Sequence, residues 1–350
     1  MGKKVNIVDI AREANVNYST VSLALNNSPK VSCETGKRIR ELACKMGYQP
    51  NYMARALKGQ KSFMVGIQMP TLRDPFFIDM LVAIESELSE RKHSCLLSVS
   101  GWSADEEKAS LDEMINRAAD GLIIGYDILT TGLAKKKYNE IASLNKPIAL
   151  YTECNCLDYY LDVDVDLVRC DLTDACYRMT RYLIELGHTR IAFILPETAN
   201  TKRAGYRKAL KEHGISLDPA LEVELPRPHI GFPKLTDQIL EMRPRPTAIF
   251  AYNDQSAVEV LRRLQERGIR TPEEISVVGI NNNLVGQMEK IKITTMSLHA
   301  DVIGKTLVEM FFQRQFKPDI PRQHKSINAQ LIPRDSTAPC PAQSKDCAAQ

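Results

Sequence analysis

Residues 5–27 read Val-Asn-Ile-Val-Asp-Ile-Ala-Arg-Glu-Ala-Asn-Val-Asn-Tyr-Ser-Thr-Val-Ser-Leu-Ala-Leu-Asn-Asn, and the fold of the head turns on how this stretch is read. Ile7, Ile10 and Ala11 share one helical face and Ala14 follows, so the spacing predicts a helix. Asn15-Val16-Asn17 breaks the pattern before Tyr18 to Leu25 resumes it. The break needs one residue with positive φ, which the short polar side chain of Asn15 tolerates. Asn17 suits the cap of the second helix, because its side-chain oxygen can accept from first-turn amides that have no helical partner. That helix is expected to turn Tyr18, Ser19, Ser22 and Leu23 outward and Val21 and Leu25 inward. A third helix is expected from about Ser32 to Met46, capped by Ser32 or Cys33, with Ile39, Leu42 and Ala43 buried.

Charge is distributed unevenly around this unit. The 350-residue chain carries +3 overall, but residues 1–60 hold ten Lys/Arg against four acids, a net of +6 that leaves the rest at −3. A small basic head on a slightly acidic body fits a polyanion partner, and it also fits a solvated helix face. A basic three-helix unit with a helix-turn-helix is the footprint of a major-groove reader. The same pattern also describes an ordinary helical hairpin.

Residues 5–27 resemble the head of the lactose-repressor/galactose-repressor (LacI/GalR) family of bacterial transcriptional regulators. The likeness continues through Val31-Ser32, Thr35, Gly47-Tyr48-Gln49-Pro50-Asn51, Ala54-Arg55-Ala56-Leu57 and Lys58-Gly59. It implies that Tyr18, Ser19 and Leu23 read bases in the major groove, and that Thr20, Ser22, Ser32 and Thr35 contact phosphates, which fix register without specifying sequence. Leu23 stands where the family often has arginine, so a bidentate guanine contact of ~1–3 kcal/mol is absent. For the hydroxyl residues, helix caps and plain surface positions are equally open readings. Residues 50–58 are too few for a stable isolated helix, since helices below ~12 residues are marginal in water. The resemblance implies a hinge helix that forms on operator DNA with its dimer mate. Asn51, Ala54, Arg55 and Leu57 would then meet the minor groove, with Leu57 wedged into a base step. A buried linker leucine is the alternative for Leu57.

From Lys61 the texture becomes short apolar strands separated by amphipathic helices. Candidate strands are Met64–Gln68, Cys95–Ser98, Gly121–Ile124, Ile148–Tyr151, Ile191–Ile194, Ala248–Ala251, Ile275–Gly279 and Ile293–Met296. Alternation of this kind predicts an α/β body of parallel sheets covered on both faces, and its length favours two Rossmann-like subdomains with ligand outside the strand C-termini. The expected division is a helix-turn-helix head over 1–49, a hinge over 50–60, a core over 61–337 and a disordered tail over 338–350. The chain is expected to cross between subdomains near 160 and within 295–322.

The body also resembles the family, whose core is similar to periplasmic sugar-binding proteins. The phrases are Leu186–Ile194, Pro246–Asp254, Ile275–Ile280 and Arg334–Thr337. The resemblance implies effector contacts from Asp74, Phe77, Thr152, Lys202, Arg203, Asn253, Asp254 and Asn281. Several depart from the family pattern. Lys202 replaces an arginine and lacks its planar fork, so either Arg203 substitutes or the ligand differs. Asn281 replaces an aspartate, Thr152 replaces another, and Pro226-Arg227-Pro228 stands where some members stack an aromatic ring. Phe77 reads equally well as core.

The seventeen glycines form no Gly-x-Gly-x-x-Gly, and no Gly-x-Ser-x-Gly, His-Glu-x-x-His or phosphate-loop motif occurs. No catalytic residue, cofactor or metal is therefore expected. Cys154-Asn155-Cys156 lacks the second ligand pair that zinc needs. His188 reads as a packing or capping residue. Nine scattered cysteines favour free thiols, with Cys340 and Cys347 exposed in the tail. No stretch reaches the ~20 apolar residues of a membrane helix and no signal sequence leads the chain, so a cytoplasmic location without membrane contact is expected. The tail has no leucine heptad, which favours a homodimer over a tetramer.

The resemblance as a whole implies a sequence-specific DNA-binding regulator, a repressor of carbohydrate-related genes that binds a near-palindromic operator under control of a small-molecule effector. The alternatives are a protein corepressor or activator role for the body, and a sugar-binding protein or enzyme with an incidental head.

Overall fold

The computed structural model describes residues 5–25, 28–48, 61–126, 132–153, 162–225 and 231–341. The chain divides into two compact units, residues 1–62 and 63–350.

In the first unit, α1 (Ile7–Ala14), α2 (Tyr18–Leu25) and α3 (Cys33–Lys45) enclose a core of Ile10, Ala11, Ala14, Val21, Ala24, Ile39 and Ala43. Asn6 caps α1 with a reciprocal Asp9 contact. Asn15 ends the helix in the left-handed region at φ 51°, as its side-chain type allows. Asn17 Oδ1 accepts from the Ser19 amide at 3.0 Å and so starts α2. The inward residue beside Val21 is Ala24, with Leu25 half-buried, because one step along a helix swings a side chain by about 100°. Arg38 donates to the Ala14 carbonyl at 3.2 Å and Arg40 to the Ala24 carbonyl at 3.0 Å. Two of the head's cations thus cap the C-termini of α1 and α2.

The second unit contains two parallel-stranded layers. The first uses β1 (Met64–Met69), α4 (Pro75–Glu90), β2 (Ser94–Val99), α5 (Ala104–Asn116), β3 (Leu122–Ile124), α6 (Gly132–Ala142), β4 (Ile148–Thr152) and β5 (Asp166–Arg169). The second uses α7 (Leu172–Glu185), β6 (Ile191–Leu195), α8 (Asn200–Glu212), β7 (Glu222–Glu224), α9 (Phe232–Glu241), β8 (Ala248–Phe250), α10 (Asp254–Glu266), β9 (Ser276–Ile280), α11 (Leu284–Met288) and β10 (Thr294–Ser297). The chain returns through α12 (Ala300–Phe316) to β11 (His324–Ser326) and ends its second sheet with β12 (Gln330–Ile332). The sheet orders are β11-β5-β4-β3-β1-β2 and β12-β10-β9-β8-β6-β7, parallel throughout except for the β10–β12 pair.

The two sheets therefore repeat one doubly-wound order. Each reverses direction beside its first strand, β1 or β6, and ligands of such sheets bind outside the strand C-termini at that reversal. One apolar cluster runs from Ile67 and Met80 in the first sheet layer to Phe193 and Phe250 in the second, with Phe311 of α12 among its members. Gly304 lets α12 lie against α4, since a Cβ there would sit 2.6 Å from the Met80 carbonyl oxygen.

Three expectations need correction. Because β5 pairs in the first sheet, the first crossing follows Arg169 rather than lying near 160. The second crossing falls between β10 and α12, inside the expected 295–322, but a third joins β11 to β12. The tail does not begin at 338 as loose chain. Ala338 accepts from His188 Nε2 at 3.1 Å, and Cys340 donates its amide to the Leu186 carbonyl at 2.7 Å and is buried, not exposed. Residues 342–350, with Cys347, lie outside the described residues.

Candidate functional site

At the head, α2 opens with Tyr18, which is 58% exposed, and exposed Ser19. Ser19 Oγ donates to Asn17 Oδ1 at 3.0 Å, so one asparagine sets both the helix start and the hydroxyl direction. Thr20, Ser22 and Leu23 are half-buried along the same helix. Ser32 and Thr35 are brought together as the cap of α3, with Ser32 Oγ donating to Thr35 Oγ1 at 2.8 Å. Those hydroxyls stand at a helix N-terminus, where amide dipoles favour an anion. Asn51, Ala54, Arg55 and Leu57 lie outside the described residues, as do Cys154, Cys156 and Pro226-Arg227-Pro228.

In the body, residues that follow strand C-termini of the two sheets meet one another. Asp74, the N-cap of α4, is buried and accepts from the Phe76 amide at 2.9 Å. Its other oxygen accepts from Asn253 Nδ2 at 2.8 Å, and Asn281 Nδ2 approaches the same carboxylate at 3.4 Å. Asn253 caps α10 after β8, and Asn281 follows β9. One carboxylate from the first subdomain thus holds two amides of the second. Asn281 and Asn282 have φ of 103° and 57°, a left-handed pair that favours asparagine over most side chains.

Lys202 on α8 donates to the Tyr252 carbonyl at 2.9 Å and lies 3.8 Å from the centre of the Tyr252 ring. Thr152 is buried at the end of β4. Phe77 is buried in the core and in an aromatic group with Trp102 at 5.9 Å and Tyr126 at 6.3 Å between ring centres.

Two expected cleft residues point elsewhere. Arg203 pairs with Glu222 at 3.2 Å and donates to the Glu197 carbonyl at 2.9 Å, because β7 at the sheet edge offers it a carboxylate. It does not substitute for an arginine in the cleft. Asp254 is fully buried within its own subdomain, accepting from the Asn283 amide at 2.7 Å and from Thr295 Oγ1 at 2.5 Å. Gly279 makes the room, since a Cβ there would lie 2.3 Å from Asp254 Oδ1. Burial lifts the Asp254 carboxyl to about 7 against the opposing hydrogen bonds from Thr295 and Asn283.

The sequence reading missed Glu153. It follows β4 directly and accepts from the Tyr151 hydroxyl at 3.4 Å. Burial raises its carboxyl to about 7; the Lys202 charge opposes that rise and the Asp74 charge adds to it. Trp102 after β2 and Tyr126 after β3 were missed as well. The signal that singled out Asn253, a polar side chain just beyond a strand end, applies equally to Glu153. Among the described residues no three His, Cys, Asp or Glu side chains gather as a metal site. No described helix is long and apolar enough to cross a membrane.

Comparison with known proteins covers both units. Residues 6–51 match the family of bacterial regulatory proteins, lacI family, and residues 180–337 match the periplasmic binding protein-like domain. The chain is 29% identical over 297 residues to catabolite control protein A of Priestia megaterium, covering 83% of this chain and 87% of that one. It is 28% identical over 335 residues to the HTH-type transcriptional repressor PurR of Vibrio atlanticus, covering 94% and 98%. Its fold is similar to that of the lac repressor dimer bound to operator and the anti-inducer ONPF, at TM-score 0.79 and 23% identity, covering 96% of this chain and 100% of that one. A regulator from Enterococcus faecium with bound ribose superposes at TM-score 0.67 and 25% identity, covering 79% and 99%.

Proposed function

The chain belongs to the LacI family of bacterial regulators, and from that premise we propose that it is a DNA-binding transcriptional repressor whose operator affinity is set by a small molecule in the body's cleft. The observation that carries this reading is the joining of two features in one chain: a helix that presents Tyr18 and Ser19 at its exposed N-terminus, and a cleft spanned by Asp74, Asn253 and Asn281. Tyr18, Ser19 and Leu23 face base edges. Thr20, Ser22, Ser32 and Thr35 hold phosphates and fix the register. Residues 50–60 supply the hinge, where Asn51, Ala54, Arg55 and Leu57 meet the minor groove.

A homodimer follows from the reading of two equivalent half-sites. Support comes from apolar residues left exposed on the first subdomain, Val82 on α4 at 62% and Val99 on edge strand β2 at 43%. Asp74, Phe77, Thr152, Lys202, Asn253 and Asn281 are the effector contacts. Asp254 and Arg203 drop out, because their hydrogen-bonding groups are spent within the second subdomain. The family's ligands and the relatives' names favour carbohydrate-related control inside the cell, with no catalytic step.

The test is selection of DNA from a random pool by the full chain, followed by binding titrations of Tyr18→Ala. A near-palindromic site is expected. Tyr18→Ala should cost about 1–3 kcal/mol on that site and leave binding to unrelated DNA within twofold. Selection that enriches no sequence would overturn the reading.

A further inference from the structure

We infer that the cleft ligand is a polyhydroxylated molecule bearing an ammonium group, with Glu153 as the group that receives the positive charge. This rests on the reading of the cleft as the effector site.

The argument begins with charge. Asp74 caps the helix that follows β1 and Glu153 directly follows β4, so both stand past strand C-termini of the first sheet, and the Lys202 charge acts on Glu153. Lys202 is already committed, to the Tyr252 carbonyl at 2.9 Å and the Tyr252 ring at 3.8 Å. Among the described residues, neither carboxylate has a Lys or Arg nitrogen within 4 Å. Asp74 is instead satisfied by neutral donors, the Phe76 amide and the side-chain amides of Asn253 and Asn281. Among the described residues, Glu153 accepts from the Tyr151 hydroxyl, at a long 3.4 Å. Among the described residues, two carboxylates thus stand near one ammonium that is engaged elsewhere. A carboxylate withdrawn from water without a cation is costly, and a cation brought by the ligand turns that cost into attraction.

The surroundings fit the rest of such a molecule. Tyr151 and Tyr126 lie 6.4 Å apart, Tyr126 and Trp102 5.4 Å, so a band of aromatic rings follows the ends of β2, β3 and β4. Ring faces attract cations and stack on the apolar faces of sugar-like rings. Gln255 Oε1, two residues after Asn253, is buried with no hydrogen-bond partner among the described residues and is an acceptor suited to a ligand hydroxyl. A neutral polyol would use these groups and leave Glu153 without a cation to favour its ionised form.

The experiment is calorimetric titration of the full chain with matched sugars at pH 7: glucosamine, glucose and N-acetylglucosamine, and the galactose series. The amine of a set should bind at least tenfold tighter than its hydroxyl and acetamide counterparts, about 1.4 kcal/mol. Glu153→Gln, which keeps shape and removes charge, should bring the three within threefold, and Glu153→Asp should keep the order. Circular dichroism confirms that each variant is folded. Equal binding of neutral sugars overturns the ammonium inference and leaves the effector reading standing. A preference that survives in Glu153→Gln removes Glu153 from the role. If no sugar of either kind binds, the ammonium-sugar inference falls, and the effector reading is then tested on its own by operator titration of Asp74→Ser.

Discussion

Asp254 illustrates how a residue can sit at a family site and serve the scaffold. Its carboxyl lies against β9 where Gly279 has no side chain, and it ties the Asn283 amide and the Thr295 hydroxyl to the start of α10. With a folded value of about 7 against an ordinary carboxyl near 4, the native state holds a proton that the unfolded chain has released between those limits. Stability from this group is therefore full below about pH 4 and declines as pH rises to about 7. Glu153 acts with the same sign. His188 acts oppositely: burial depresses its imidazole, so its contribution falls as pH drops below its ordinary value. Asp254→Asn should remove one share of the first effect and leave the other two. Chemical unfolding at pH 5 and pH 8 should show a smaller loss in the variant than in the wild type; an identical loss would mean that Asp254 is ionised throughout. The sequence could place Asp254 one residue past Asn253 but not say which way it turned, because the two share a strand end and differ only in helix phase. Arg203 escaped for a similar reason, its carboxylate partner Glu222 lying on a strand too short and too charged to be read.

Elements with a strong apolar period were legible and those held by ion pairs were not. The helix-turn-helix could be read from Ile7 to Leu25 because its turn needed an asparagine and its faces needed alanine or isoleucine. All eight strands expected from apolar runs are present, within a residue or two. The missing four, β5, β7, β11 and β12, are edge or near-edge strands of three or four residues. β5 owes its place to Asp166, which is buried, accepts from Arg314 Nη2 at 2.7 Å and Nε at 3.1 Å, and accepts from the Gln323 amide at 2.8 Å. This one carboxylate links β5, α12 and the approach to β11. Arg314 has further acceptors in the Pro318 and Pro321 carbonyls, both at 3.0 Å. Asp166→Ala should therefore cost about 3 kcal/mol, the lower end for breaking a buried pair, because the arginine keeps part of its hydrogen bonding. Urea unfolding measures it, and a loss below about 1 kcal/mol would show that apolar packing of α12 alone seats the strand.

For the whole molecule, the duplicated sheet order matters more than any single element. Because both sheets reverse beside their first strands, both place ligand-type sites past their strand C-termini, and the Asp74 contact made there joins one subdomain to the other. Asp74 makes that contact without a ligand, through Asn253 and Asn281. A ligand that takes over the two amides changes the terms on which the subdomains stay together, and a shift of ~1–3 kcal/mol between open and closed forms changes operator affinity ~5–150-fold. Asp74→Ser isolates this contact. Serine still caps α4 but is too short to reach Asn253, so the helix should survive while the bridge is lost. Small-angle scattering of the full chain should show a larger radius of gyration than the wild type. Operator titrations then give the sign of the coupling. Weaker binding makes the closed cleft the DNA-binding form, so that a ligand bridging the subdomains acts as corepressor. Tighter binding makes closure the released form, and the ligand an inducer. A larger radius with operator affinity unchanged within twofold would disconnect cleft closure from DNA binding.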